Sequence, residues 1–113
     1  MIVVLNLFDI IPGRQKQYAE YLRQVQPILD RVGARVLLYG LTRQVYKGAC
    51  TQAYCGMIAY QSLEDLRRLS HDPDFVAIMP LRDNSTTNYA LTAIEGFSSM
   101  MNAVEYLENG ETL

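Results

Sequence analysis

The residues with the clearest chemical potential lie between Ser62 and Asp83, a stretch that holds the only histidine of the chain. A histidine side chain titrates near neutral pH, so His71 is a candidate general base. Arg82, next to Asp83, is a candidate to hold a carboxylate or an enolate. Each has a plainer alternative, His71 as a solvated loop residue beside Asp72 and Arg82 as one half of a salt-bridged loop.

Three further side chains are candidates for holding a ligand. Asn6 is the only polar member of the apolar run IVVLNLF at residues 2–8, and a buried amide must find hydrogen-bond partners. It therefore either orients a ligand or satisfies a neighbouring backbone group. Tyr39 and Tyr60 belong to a chain with eight tyrosines and three phenylalanines. This excess of hydroxyls suits a pocket for an aromatic or polyketide-like ligand, and amphipathic packing at an interface explains it equally well.

Two helix-start signals position the histidine. Ser62, followed three residues later by Asp65, has the form of a capping box. Asp72 can cap a second helix, with Pro73 at its first position, where the missing N–H costs nothing. The break predicts that His71 lies at the mouth between two helical pieces. It also keeps the second helix from lying flat, which leaves a gap where an apolar ligand could bind.

The remaining elements follow from periodicity and turn residues. They are a strand at 2–8, a helix from 13 to 33 that Pro27 kinks or divides, strands at 34–46, 51–60 and 86–95, and a last helix at 97–107, with ENGETL frayed. The order is βαββαβ, which predicts an α+β ferredoxin-like fold with helices on one face of a four-stranded antiparallel sheet. One domain is expected at 1–96, followed by a C-terminal helix and tail at 97–113.

Both faces of this predicted sheet are apolar. Alternation places Ile2, Val4 and Phe8 opposite Val3, Leu5 and Leu7, and it places Val36 and Leu38 opposite Leu37, Tyr39 and Leu41. Two helices cover only one face, whereas an antiparallel sheet normally shows a polar second face to water. A second copy of the chain is the simplest cover, because a two-fold interface needs only one self-complementary patch. We therefore expect a homodimer.

Composition excludes several classes of partner. The formal net charge is −2 and the pI is about 5.3, so no basic field favours nucleic acid or acidic membranes. The opening MIVVLNLF lacks a charged leader and is too short to span a bilayer, and a cytoplasmic location is expected. Cys50 and Cys55 lack the CxxC spacing, so neither a metal, a required disulfide nor another cofactor is expected.

A set of short motifs runs through the chain: the helix from Tyr18 and Tyr21 through Pro27, Ile28, Leu29 and Gly33, then SHDPDF at 70–75, Arg82, and the closing Ala93, Ile94, Glu95 and Gly96. With the βαββαβ order and the two apolar sheet faces, these residues resemble the dimeric α+β barrel superfamily, and within it the small uncharacterised-domain branch related to NIPSNAP and EthD-like proteins.

This resemblance implies several alternative activities, since members of the superfamily carry out haem degradation, cofactor-free oxygenation, cyclisation or isomerisation. Other members have no known chemistry. The haem-degrading pattern is not met, because Leu66 and Met79 stand about where its Trp and ligand His would lie. Three hypotheses follow. The domain binds a small apolar or aromatic molecule; or it is a cofactor-free enzyme with His71 as base and Asn6, Tyr60 and Arg82 as anchors; or its second sheet face serves assembly alone.

Overall fold

The computed structural model describes residues 1–110 and shows a four-stranded antiparallel sheet with helices on one face. The elements, in chain order, are β1 (Ile2–Ile10), α1 (Gln15–Arg31), β2 (Arg35–Leu41), β3 (Tyr54–Tyr60), α2 (Leu63–His71), α3 (Pro73–Asp83), β4 (Thr86–Glu95) and α4 (Met100–Asn109). The strands lie in the order β2-β3-β1-β4. The predicted α+β ferredoxin-like fold is therefore confirmed.

The core lies between the sheet and the apolar side of α1. Alternate residues of β1 are buried beneath the helices, while the residues between them are only half-buried. The predicted stripe of α1 supplies the facing layer, with α2 and α3 adding one residue each. The buried cluster consists of Ile2, Val4, Phe8, Tyr18, Tyr21, Val25, Ile28, Leu29, Tyr60, Leu69 and Ile78.

Helix α1 is a single helix, in contrast to the two segments that Pro27 offered as one alternative. The stripe of large apolar residues continues past the proline, so burial holds both halves against the same sheet. Gly33 ends the helix with a φ of +76°. Its N–H donates to the carbonyl of Asp30, and the N–H of Ala34 donates to that of Leu29. This is the Schellman arrangement that favours glycine after a helix.

Strands β2 and β3 are shorter than the sequence predicted. The β-branched and aromatic residues at 34–46 and 51–60 indicated longer strands, but β2 ends at Leu41 and β3 begins at Tyr54. Thr42 closes the pair, since its N–H donates to the carbonyl of Ala53 and its hydroxyl donates to that of Gln52. The intervening residues have no neighbouring strand to pair with, so their β propensity alone does not lengthen either β2 or β3.

A β-bulge corrects the predicted faces of β2. Val36 pairs with Ile58 and Leu38 pairs with Met57, so one extra residue, Leu37, stands between two successive pairs. The extra residue reverses the alternation. Val36 and Tyr39 therefore share the helix-covered face, whereas simple alternation had placed them on opposite faces.

The second face of the sheet is apolar and carries no helix. Three cross-strand rows make up this open face: Leu38, Met57, Leu5 and Thr92; Arg35, Ala59, Val3 and Ile94; and Gly40, Cys55, Leu7 and Ala90. At its edges Leu38 is 50% exposed and Ile94 is 45% exposed. Large aliphatic side chains in register, without a layer above them, leave an extended apolar surface in contact with water.

Helix α4 follows the sheet and begins three residues later than predicted. Ser99 caps it, because its hydroxyl accepts a hydrogen bond from the N–H of Asn102. None of its residues is buried, and Met100 and Leu107 are largely exposed. Within residues 1–110, no helix is both long enough and apolar enough to cross a membrane. The prediction that residues 108–113 are frayed is wrong for Glu108 and Asn109, which belong to α4, and residues 111–113 lie outside the described part of the chain.

Candidate functional site

A cavity of about 470 Å³ lies between the sheet and the three helices α1, α2 and α3. This volume is within the usual range for small-molecule pockets. Most of its wall is aliphatic or aromatic. The apolar lining residues are Val4, Leu22, Val25, Leu29, Val36, Ile58, Leu66, Leu69, Phe75, Met79 and Leu91. The polar lining residues are Asn6, Tyr21, Gln26, Tyr39, Tyr60, Ser70, Arg82 and Tyr89.

Four of the five residues predicted for the site line this cavity: Asn6, Tyr39, Tyr60 and Arg82. They come from β1, β2, β3 and α3. Alternation in β1 and β3, together with the bulge at Leu37 in β2, places the three strand residues on the face that the helices cover. The sheet thus brings together side chains that are far apart in the sequence.

Asn6 is 7% exposed and lies in the middle of β1, one of the two inner strands of the sheet. Its Oδ1 accepts a 2.7 Å hydrogen bond from the hydroxyl of Tyr89. Its Nδ2 donates to the carbonyls of Val4 and Gly56, each at 3.4 Å. These two bonds are at the long end of the hydrogen-bond range. The Asn6 amide therefore has a well-satisfied acceptor and weakly satisfied donors.

Arg82 lies in the last turn of α3 with a side chain that is 20% exposed. Its Nε donates to Asp83 at 3.0 Å, and its guanidinium carbon lies 5.2 Å from the centre of the Tyr89 ring. This is the geometry of a cation–π contact. The predicted pairing of Arg82 with Asp83 is found, and it uses one of the five N–H donors of the guanidinium.

The Tyr39 ring packs over Gly56 of the neighbouring strand β3, which leaves room for it because glycine has no side chain. A Cβ built at Gly56 would lie 2.6 Å from Cε2 and 2.8 Å from Cδ2 of the Tyr39 ring, which is closer than carbon atoms can approach. The Tyr39 hydroxyl contacts the hydroxyl of Tyr18 on α1 and forms a hydrogen bond with it. The ring is therefore fixed at both ends.

Burial keeps the phenols of the cavity protonated. It raises the pKa of Tyr39 and of Tyr60 to about 12. It also raises the pKa of Tyr21 and of Tyr89, although the nearby Arg82 guanidinium acts in the opposite direction on both. At neutral pH these groups are O–H donors rather than phenolates.

His71 is placed differently from the other four predicted site residues. It ends α2, is exposed, and is not among the residues that line the cavity. Its Nδ1 lies 3.2 Å from the hydroxyl of Ser70 and 3.3 Å from the carbonyl oxygen of Arg67. Its role as a general base stays a prediction, and no contact with the cavity supports it.

The break between α2 and α3 is found where the sequence predicted it. The hydroxyl of Ser62 accepts from the N–H of Asp65, and the carboxylate of Asp72 accepts from the N–H groups of Asp74 and Phe75. Asp72 also pairs with Arg31 of α1 at 2.8 Å. The junction thus ties both helices to α1 and sets Phe75 in the cavity wall.

Asp72 should make the stability of this junction dependent on pH. The hydrogen bond from Arg31, followed by those from the backbone N–H groups of Phe75 and Asp74, lowers the pKa of Asp72 below its ordinary value of 3.8. A lowered pKa stabilises the fold above the ordinary value, and that contribution is lost as the pH falls through the folded value. We expect D72A to lower Tm at pH 7 by about 5 °C.

The variant D72N separates the cap from the charge, since asparagine also caps helices well. It should lower Tm less than D72A at pH 7. Its difference from the wild type should shrink as the pH falls from 3.8 through the lowered pKa of the Asp72 carboxyl, because the wild-type side chain then becomes protonated as well. Circular dichroism melts across this acidic range and at pH 7 test this. An equal Tm for D72A and wild type at pH 7 would contradict the assigned role.

The sequence reasoning missed two residues that shape the cavity. The hydroxyl of Tyr89 donates a hydrogen bond to Asn6, which is 83 residues away in the sequence. No sequence pattern predicts the register between β1 and β4 that brings them together. Gly56 was assigned to β3 without a role. A glycine inside a strand often marks a close approach of another group, so its position in the run YCGMIAY was a usable signal.

Other chemistry has less support within the described part of the chain. Across residues 1–110, no group of three or more His, Cys, Asp or Glu side chains is arranged to hold a metal ion. Cys50 is exposed, Cys55 is half-buried, and both are free thiols. The polar residues at the cavity are thus amides, phenols, a serine hydroxyl and one guanidinium.

The fold and the cavity define an α+β ferredoxin-like protein with a largely apolar cavity between its sheet and its helices. Residues 7–97 match the family described as "Domain of unknown function (DUF1330)", and the chain belongs to that family. A comparison with curated proteins gives no match.

Solved structures with this fold include proteins from several bacteria. A protein of unknown function from Rhodopseudomonas palustris is 19% identical, with a TM-score of 0.76 over 87% of this chain and 83% of its own. A dimeric ferredoxin-like protein of unknown function from Jannaschia sp. CCS1 is 12% identical, with a TM-score of 0.70 over 84% of this chain and 98% of its own.

An uncharacterised NIPSNAP domain protein from Burkholderia xenovorans is 16% identical, with a TM-score of 0.63 over 87% of this chain and 96% of its own. At these identities the similarity establishes the fold. It confirms the resemblance drawn from the sequence to dimeric ferredoxin-like proteins related to NIPSNAP.

Proposed function

We propose that this protein is a homodimer in which each chain binds a small aromatic or apolar molecule between its sheet and its helices. One observation carries the binding proposal: a cavity of about 470 Å³ with an apolar wall and a few convergent polar groups. Such a combination is typical of ligand sites, because the wall supplies affinity and the polar groups fix orientation.

The homodimer proposal rests on the open face of the sheet. Its three rows are mainly apolar across the four strands, with Arg35 and Thr92 on the edge strands, and a second copy would remove this area from water. The related protein from Jannaschia sp. CCS1 is described as dimeric. In our proposal two such sheets pack face to face, with the helices and cavities on the outside.

The enzymatic alternative would use Asn6, Tyr60 and Arg82 as anchors and His71 as the base. The anchors line the cavity and His71 does not, so no specific observation favours catalysis over binding. If binding alone is the function, H71A should leave ligand affinity unchanged.

Binding can be tested with N-phenyl-1-naphthylamine, a neutral probe whose emission rises in apolar pockets. We expect G56A to weaken its binding by about tenfold, because the added methyl group pushes the Tyr39 ring from the cavity wall. G96A is the matched control, since a Cβ at Gly96 meets only the carbonyl oxygen of Met1, at 3.7 Å, and Gly96 follows the end of β4. Equal affinities for G56A, G96A and wild type would exclude the cavity as the binding site.

A further inference from the structure

Every buried polar side chain of the cavity can donate a hydrogen bond, and no carboxylate lines the cavity. Tyr21, Tyr39 and Tyr60 present phenol hydroxyls that stay protonated at neutral pH. Gln26 and Ser70 are exposed, and they donate to Asp30 and to the carbonyl of Arg67 rather than to the interior. The buried part of the cavity therefore offers donors to an occupant.

The amide oxygen of Asn6 is already used as an acceptor. Oδ1 of Asn6 accepts a 2.7 Å hydrogen bond from the hydroxyl of Tyr89, which leaves it little capacity to accept another. Its NH2 group makes only the two bonds of 3.4 Å to backbone carbonyls. A ligand oxygen within reach would make a shorter hydrogen bond with this group.

The same cavity contains one cation. Arg82 is mostly buried, yet its partner Asp83 is 58% exposed and its charge is screened by water. The guanidinium is bound to Asp83 through Nε, and it lies over the Tyr89 ring and near Tyr21. Positive charge and donors thus meet at one side of an otherwise apolar space.

We infer that the ligand is an aromatic or apolar molecule with a carboxylate or a similar anionic oxygen group, which Arg82, Asn6 and the phenol hydroxyls bind. This inference rests on the proposed binding function and names its ligand class. A cationic amine would meet donors and a like charge. A neutral hydrocarbon would offer no acceptor to the N–H groups of the guanidinium that Asp83 does not use.

Three naphthalene probes of similar shape test the inference: 2-naphthoate, 2-naphthamide and 2-naphthylmethylamine, titrated by calorimetry at pH 7.5. We expect 2-naphthoate to bind wild-type protein at least about tenfold more tightly than 2-naphthamide, the usual gain from a charge-assisted hydrogen bond. The ammonium probe should bind most weakly.

The variant R82Q should bring the affinity for 2-naphthoate down to that for 2-naphthamide, with little change for the amide. R43Q is the control, because it removes the same charge from an exposed position. If R82Q fails to fold, Y21F removes one donor without a change of charge and should weaken 2-naphthoate binding selectively, by several-fold.

Equal binding of the three probes to wild type, or preference for the ammonium, would overturn the ligand class and leave the proposed function intact. Failure of all three and of N-phenyl-1-naphthylamine to bind would overturn both. An unchanged preference for 2-naphthoate in a folded R82Q would remove Arg82 from the anion site and refute the inference as stated.

Discussion

The variant F8A is expected to lose about 3–5 kcal/mol of the free energy of unfolding, the usual cost of removing a buried phenylalanine. Phe8 is completely buried, and its ring stacks on those of Tyr54 and Tyr89 with centres 5.5 and 5.1 Å away. Tyr18 packs on it at 5.2 Å. Since small domains are stabilised by about 5–15 kcal/mol, F8A should be partly unfolded under mild conditions.

The same substitution should disturb the cavity, because Phe8 supports the Tyr89 ring that holds Asn6. Urea unfolding at one fixed protein concentration measures the loss of stability. F8L retains most of the volume and should recover much of it. F97A is the control, since Phe97 is 40% exposed and lies outside the core. Equal urea midpoints for F8A and F97A would show that the packing of Phe8 against Tyr18, Tyr54 and Tyr89 does not stabilise the fold.

The second large effect is expected from L38D, which should change a dimer into a monomer. Leu38 lies on the open face beside Met57 and is half exposed in the single chain. An aspartate there would remain hydrated in a monomer. In the proposed dimer it would lose its water without gaining a partner, which is a large penalty.

Light scattering at micromolar concentration should give twice the chain mass of 12.8 kDa for wild type, and 12.8 kDa for L38D. V76D is the matched control, because Val76 is equally exposed but lies on α3, away from the open face. It should remain a dimer. A wild-type protein that is a stable, soluble monomer under these conditions would disprove the face-to-face arrangement.

The sequence by itself determined the features that depend on near neighbours. Ser62 and Asp72 mark the starts of α2 and α3, because a cap bonds to N–H groups two or three residues ahead. Alternation divided β1 into two apolar faces, and the 3.6-residue stripe identified the buried side of α1, since side-chain direction follows from backbone geometry. The excess of apolar strand residues over what two helices can cover pointed to a second copy.

The tertiary structure decided what depends on strand register and packing. The bulge at Leu37 moves Tyr39 to the cavity side, and the place of Tyr39 above Gly56 follows from how β2 pairs with β3. Tyr89 reaches Asn6 through the pairing of β1 with β4, which no local pattern encodes. His71 was expected at the mouth of the cavity from its position in sequence alone. The last turn of α2 directs it to solvent instead, because 100° of rotation per residue separates it from Ser70, its neighbour on the cavity wall.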